Sequence, residues 1–187
     1  MIMPMMTVQH PPEALSQAKK DKLAEDLTKV ILAIEGGADT PEGRSIAWVR
    51  FQPIETKDWY LGGRSDSTFE AVAGRWLIEL NVPEGSMDQD RKSECHRAIT
   101  KAILKITGKE GIEGASRSIW IQLFEWPEGH LATSGRTSSL LGIAQLAKIP
   151  ADHPLLAFPR AYFAAKDRLY DLAEFPEKTA GRALVRY

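Results

Sequence analysis

Arg64 and Arg136 each follow a glycine, and they occupy equivalent places in the two halves of the chain. A guanidinium offers a planar fork of N–H donors that grips a carboxylate bidentately, so matched arginines are candidates for holding a small acid. The same placement suits a structural role, with each guanidinium bonding backbone carbonyls at its own turn. Arg50 alternates with Val49 and Phe51 in a strand-like run, which aims it into a pocket or toward a subunit contact. Other reactive types form no constellation. Cys95 lies on an apolar helix face and reads as a buried, inert thiol, with His96 beside it on the solvated side. His10, His130 and His153 are scattered, and no His/Cys/Asp/Glu spacing suits a metal. Gly36-Gly37 follows a helix, whereas a phosphate-cradling glycine loop precedes one. No cofactor and no metal are expected.

The placing of those arginines follows from a duplication. Thr28-Lys29 recurs as Thr100-Lys101, Ile31-Leu32 as Ile103-Leu104 and Gly36 as Gly108, all at the offset that separates Arg64 from Arg136. Gln17 and Gln89, Lys20 and Lys92, and Trp48 and Trp120 keep the same register. One slip interrupts it: Arg44-Ser45-Ile46 recurs one position late as Arg117-Ser118-Ile119, and Ala47 has no mate. The chain is two copies of one supersecondary unit, and a site is expected where the copies meet.

Each copy reads as β-α-β. Strands over Met5–His10 and Trp76–Asn81 are stopped by Pro11-Pro12 and Pro83. Ser16 and Asp88 are helix N-cap types. Leu23, Leu27, Val30, Ile31 and Ile34 then share a helix face, as do their mates Cys95, Ile99, Ala102, Ile103 and Ile106, and Gly36 and Gly108 end the helices. Second strands follow over Ile46–Gln52 and Ser118–Glu125, with crossovers long enough to make each pair parallel. Two such units give an α+β fold, a four-stranded sheet covered on one face by two helices. The bare face calls for oligomerisation through the sheets. We expect one domain over 1–187, with units at 4–72 and 76–144 and a C-terminal extension over 145–187. A helix is predicted there from about Arg160 to Leu172, packing through Ala161, Phe163, Ala164, Leu169 and Tyr170.

A net charge of −1 leaves no electrostatic footprint for nucleic acid or an anionic membrane surface. The longest aliphatic run, Val30 to Ile34, is far too short to span a bilayer. The apolar start, Met1 to Met6, lacks the charged region of a signal peptide, and a single cysteine suits a reducing compartment. The expectation is a soluble cytoplasmic protein with neither a nucleic-acid nor a membrane partner.

With Pro4-Met5-Met6-Thr7-Val8 as a strand, Ser16 and Lys20 at a helix start, and Trp59-Tyr60-Leu61-Gly62-Gly63, the chain resembles the tautomerase superfamily in its fused, double-length form. The last segment is similar to the aromatic-x-x-Gly-Gly hairpin that closes a unit in 4-oxalocrotonate tautomerase. Ile119-Trp120 through Glu125-Trp126-Pro127 is similar to the second-unit strand of cis-3-chloroacrylic acid dehalogenase. The resemblance runs from roughly Pro4 to Arg136. It implies a homotrimer whose sheets enclose a barrel, and a catalytic N-terminal proline. A free prolyl nitrogen is a secondary amine, with an α-amino reference pKa of about 8. An apolar, arginine-flanked pocket lowers that value, so the neutral amine can take a proton alpha to a carbonyl or attack as a nucleophile.

The chain departs from the family pattern twice. Pro4 follows Met1-Ile2-Met3, and inside a chain it is a tertiary amide without basicity; translation from Met3 would make it the terminal residue, and otherwise it merely opens a strand. The family's arginine positions fall on Leu15 and Met87 at the helix entries and on Trp48 and Trp120 in the second strands. Arg50, Arg64, Arg75 or Arg136 would have to replace that clamp, and Gln122 stands where the dehalogenase has a substrate-contacting tyrosine. The resemblance thus implies a cofactor-independent tautomerase or isomerase for a small 2-oxo or unsaturated carboxylic acid. Pro4 would be catalytic, and Arg50, Arg64, Trp59, Gln122 and Arg136 would contact substrate. Hydration or dehalogenation is the variant chemistry. The alternatives are a non-catalytic scaffold or small-ligand binder that lost the amine and clamp, and a ferredoxin-like dimer.

Overall fold

The computed structural model describes residues 4–34 and 39–184. β1 (Met5–His10) leads through a 3-10 turn at Pro12–Ala14 into α1 (Gln17–Ile34), where Ser16 Oγ accepts from the Lys19 N–H at 3.4 Å. A short helix α2 (Pro41–Ile46) precedes β2 (Trp48–Pro53). The second copy repeats the plan with β3 (Trp76–Pro83), α3 (Gln89–Thr107) and β4 (Ile119–Trp126). Asp88 caps α3 by accepting from the Arg91 N–H at 2.9 Å, and Gly108 closes it in the left-handed conformation, φ 67°. Gly36, the expected end of α1, lies outside the described residues.

The four strands form one sheet in the order β2-β1-β3-β4. β1 with β2 and β3 with β4 are parallel, as the crossovers require, and the copies join through the antiparallel pair β1–β3. Thr7 faces Glu79 across that seam. These two are repeat mates, so a pseudo-two-fold axis passes between them. Met6, Val8, Ile78 and Leu80 point to the covered face, where Leu23, Leu27, Ile31, Cys95, Ile99 and Ile103 bury the helices against them. The other face carries Met5, Thr7, Gln9, Trp48, Arg50, Leu77, Glu79, Asn81, Trp120, Gln122 and Phe124. On it Trp48, Trp120 and Phe124 are 54%, 66% and 45% exposed, an uncovered aromatic surface.

Several elements differ from the sequence expectation, among them β3, which runs through Pro83 instead of stopping before it because a proline is tolerated at a strand end. The second strand starts at Trp48 because Ile46 belongs to α2, which Thr40 caps by accepting from the Gly43 N–H and Pro41 opens at its first turn. The corresponding stretch of the second copy is a tighter 3-10 turn, Ala115–Ser118, and Ala47 is the residue that brings Trp48 back into register. The tail holds a hairpin, β5 (Leu131–Thr133) with β6 (Arg136–Ser138), then α4 (Leu140–Leu146) and α5 (Ala157–Leu172). α5 begins before Pro159 because a first-turn proline lacks only an N–H that needs no helical partner. Of its apolar residues Phe163 is fully buried in the core, but Ala161 is exposed and Leu169 is 65% exposed, so they do not join the packing face. Among the described residues no helix is long and apolar enough to cross a membrane.

Candidate functional site

The duplication gives the sheet two comparable ends. At one, Pro4 is buried just before β1, and its carbonyl accepts from the Trp48 N–H at 3.2 Å. The register puts Asn81 opposite Met5, and Pro83 opposite Trp126, at this end. The β5–β6 hairpin follows from Trp126 and Pro127, so the exposed Arg136 lies at the same end as Pro4. Two residues along the strands, Arg50 donates from Nη2 to Thr7 Oγ1 at 2.8 Å and carries no ion pair among the described residues.

The tail is fastened to this end. Glu84, just past β3, accepts from the Tyr162 hydroxyl at 2.5 Å and from Lys166 Nζ at 2.6 Å. Burial, and then the bond to Glu84, push the Tyr162 phenol well above its ordinary pKa. Gly85 lies under the Tyr162 ring, at φ +70°, where a Cβ would collide with the ring carbons. Glu128 is buried and accepts from the Leu140 N–H at 3.1 Å at the start of α4.

At the other end Trp76 occupies the position that Pro4 holds in the first copy. A cavity of about 500 Å³ opens beside it. Trp59, Tyr60, Phe69, Trp76 and Trp120 supply aromatic walls, and Arg75, Arg117 and Gln122 supply polar groups. The loop before β3 is held in place by Arg75, which is 1% exposed. Its Nε donates to Glu70 at 2.6 Å, Nη2 to the Ser65 and Asp66 carbonyls at 2.6 Å, and Nη1 to the Thr56 and Trp59 carbonyls. Every donor faces the protein, so Arg75 is a strut and not a replacement clamp. Arg64 closes the turn at Gly62-Gly63, where both glycines have positive φ, and pairs with Asp66 at 2.5 Å. That pairing raises the Arg64 pKa and holds the Asp66 carboxyl far below the usual range.

Behind Trp76 lies His10, fully buried and stacked on the indole with ring centroids 5.9 Å apart. Its Nδ1 lies 2.7 Å from the Pro11 carbonyl and Nε2 has no partner among the described residues. Burial lowers its pKa, which keeps the ring neutral with the proton on Nδ1.

The residues singled out from sequence therefore divide. Trp59 and Gln122 line the Trp76-end cavity, with Arg64 on its hairpin but engaged by Asp66. Pro4 and Arg136 lie at the opposite end, and Arg50 sits in the middle row of the sheet. Arg117, Tyr60, Trp76 and Trp120 also line this cavity without being among the residues singled out from sequence, and the slip that pairs Arg117 with Arg44 is the available signal for the first. His96 is half-buried instead of solvated, with Nε2 shut from solvent and unpartnered among the described residues. Among the described residues no group of three or more His, Cys, Asp or Glu could hold a metal.

No protein-family model and no curated protein sequence matches the chain. Solved structures do. N1, a member of the cis-3-chloroacrylic acid dehalogenase family, is 16% identical with a TM-score of 0.60, over 91% of this chain and 99% of its own. A fused 4-OT described as a wild-type asymmetric trimer is 15% identical with a TM-score of 0.59, over 74% of this chain and 98% of its own. Pt0534, solved inactivated by 2-oxo-3-pentynoate, is 16% identical with a TM-score of 0.57, over 72% of this chain and 94% of its own. The pseudo-dyad, the β2-β1-β3-β4 order and the helix pair on one face are thus the fused, double-length tautomerase fold.

Proposed function

We propose that the chain is a cofactor-independent tautomerase acting on a small 2-oxo or unsaturated carboxylic acid, with Pro4 as its base in a form that begins at Pro4. The observation that carries this is the burial of Pro4 at the head of β1, with Arg50 two residues inward on the neighbouring strand. Burial disfavours the ammonium form, so a free prolyl amine there would sit below the α-amino reference of about 8, which favours the neutral base. The amine would take a proton from the carbon alpha to the keto group and return it to the far carbon of the dienol. Arg50, with Arg136 at the same end, would hold the carboxylate and the charge that spreads onto the keto oxygen. The exposed aromatic face and the trimeric fused 4-OT neighbours support a homotrimer joined through the sheets. The buried single thiol of Cys95 is in keeping with a cytoplasmic setting.

A second reading is favoured by Leu15 and Met87, which are 5% and 2% exposed in the core where the family carries a clamp. It makes the protein a non-catalytic small-ligand binder. Intact mass of the protein expressed from its own gene context, followed by incubation with 2-oxo-3-pentynoate, separates the two. A chain starting at Pro4 that gains one adduct on its first residue supports the base. A chain retaining Met1 or Met3 has no free prolyl amine and leaves the binding reading.

A further inference from the structure

We propose that the cavity at the Trp76 end is a second ligand site, separate from the Pro4 end, which takes a small planar carboxylate with Arg117 as its anion anchor. Its volume, about 500 Å³, lies within the range of small-molecule sites. The Trp59, Trp76 and Trp120 indoles with Tyr60 and Phe69 offer flat apolar faces to a conjugated or aromatic body.

Two arginines line the cavity, and only one of them is uncommitted. Arg75 has spent its donors on Glu70 and on four backbone carbonyls and has none left for a ligand. Arg117 is exposed, lines the cavity, and has no side-chain hydrogen bond or ion pair among the described residues.

The duplication explains why Arg117 is free. Its repeat mate Arg44 is closed by Glu25, at 2.8 and 2.9 Å, and by Asp39. In the repeat register the mate of Glu25 is Arg97, and that of Asp39 is Gly111, or Ile112 if the slip is counted. Both counter-ions are gone from the second copy, and one has become a like charge. A guanidinium left without carboxylates beside an aromatic cavity suits a carboxylate brought by a ligand. Of the other polar groups nearby, the Trp76 indole N–H donates to the Ala73 carbonyl at 2.7 Å, and Ser118 Oγ accepts from the Ala71 N–H at 2.7 Å. Gln122, the Tyr60 hydroxyl and the Trp59 and Trp120 indole N–H groups line the cavity and can bond a second oxygen of the ligand. With Trp76 in place of a proline, this end can bind an acid but has no amine to transform it.

The test is titration of the full-length protein with trans-cinnamate, followed by calorimetry and tryptophan fluorescence, with cinnamamide as the uncharged isostere. Saturable cinnamate binding, at least about tenfold weaker cinnamamide binding, and a loss of about tenfold or more in Arg117→Gln are expected, a tenfold change being about 1.4 kcal/mol. Arg168→Gln, an exposed cation on α5, should bind as the parent does. Three results would each overturn the proposal: no saturable binding at millimolar cinnamate, equal affinity for acid and amide, or parental affinity in a folded Arg117→Gln. None of them bears on the mass of the N-terminus or on adduct formation at Pro4, so this site and the Pro4 base fail separately.

Discussion

At one end of the sheet a proline opens the first strand, an arginine stands two residues inward, and a C-terminal helix is pinned alongside. At the other a tryptophan opens the equivalent strand, glutamine replaces that arginine, and an aromatic cavity lies open. Both ends descend from the same β-α-β plan, with Thr7 and Glu79 facing each other on the axis between them. The difference teaches that duplication fixes where sites can form, and that a few mates decide what each can do. Arg44 and Arg117 show this most directly: the same residue serves as a latch between α1 and α2 in one copy and as an uncommitted cation in the other. In the first copy, bonding to Arg44 and Lys29 holds the Glu25 carboxyl at about 2, so the latch stays charged at any ordinary pH.

The largest expected effect removes the special property of the Pro4 end. One extra residue ahead of Pro4, in a protein that otherwise starts there, converts the amine to an amide. Turnover of a 2-oxo acid should then fall by about 10²–10⁴-fold, the contribution of a positioned general base. Cinnamate affinity at the Trp76 end should not change. Equal loss at both would mean that the ends are coupled, and unchanged turnover would remove proline from the mechanism.

Next is the tail, which distinguishes the Pro4 end by being fastened beside it at Glu84. Gly85→Ala adds a Cβ where φ is +70° and the Tyr162 ring leaves no room for it. Left-handed backbone and overpacking together should cost about 2–4 kcal/mol in chemical denaturation. Proteolysis within α5 should accelerate, because the Glu84–Tyr162–Lys166 cluster can no longer close. Unchanged stability would show that the tail is not held at Gly85.

A smaller effect tests the freed arginine. Arg97→Glu restores the carboxylate that the first copy has at Glu25, and should draw Arg117 into a pair as Arg44 is drawn. Cinnamate affinity should fall a few-fold, on the order of the 0.2–1 kcal/mol typical of exposed ion pairs. Affinity equal to or above the parent would mean that Arg117 does not pair as Arg44 does.

Much of this architecture was legible in the chain because repetition reports topology directly. The strand at Met5–His10, the apolar helix faces and the parallel pairing all follow from period and spacing. The tail was less legible, since α4 and the early start of α5 depend on a Ser139 cap and on a proline that helices accept in their first turn. The site was harder still. Arg64 is occupied by its own Asp66, and Arg75 by the carbonyls around it, and neither partner can be read from the spacing of arginines. Which end each residue belongs to is a matter of strand register, and spacing along one chain does not separate Trp59 from Pro4.

The smallest effect concerns His10, which backs the Trp76 end. The folded protein holds this ring neutral because burial lowers its pKa below the ordinary 6.5. The unfolded chain binds a proton as pH falls through 6.5, while the native ring does not until its lower pKa is reached. Stability contributed by the neutral ring is therefore present above 6.5 and is lost progressively between that value and the native pKa. Thermal midpoints of the parent should drop on going from neutral pH to below 6.5, and the drop should be smaller in His10→Leu, which removes the titrating group and keeps an apolar contact with Trp76. His96, His130 and His153 remain in both proteins, so the difference between the two slopes isolates His10. Parallel slopes would mean that the ring takes up a proton in place, by shifting toward solvent or by finding a partner for Nε2. The wall behind the cavity would then be softer than the stacking of His10 on Trp76 implies.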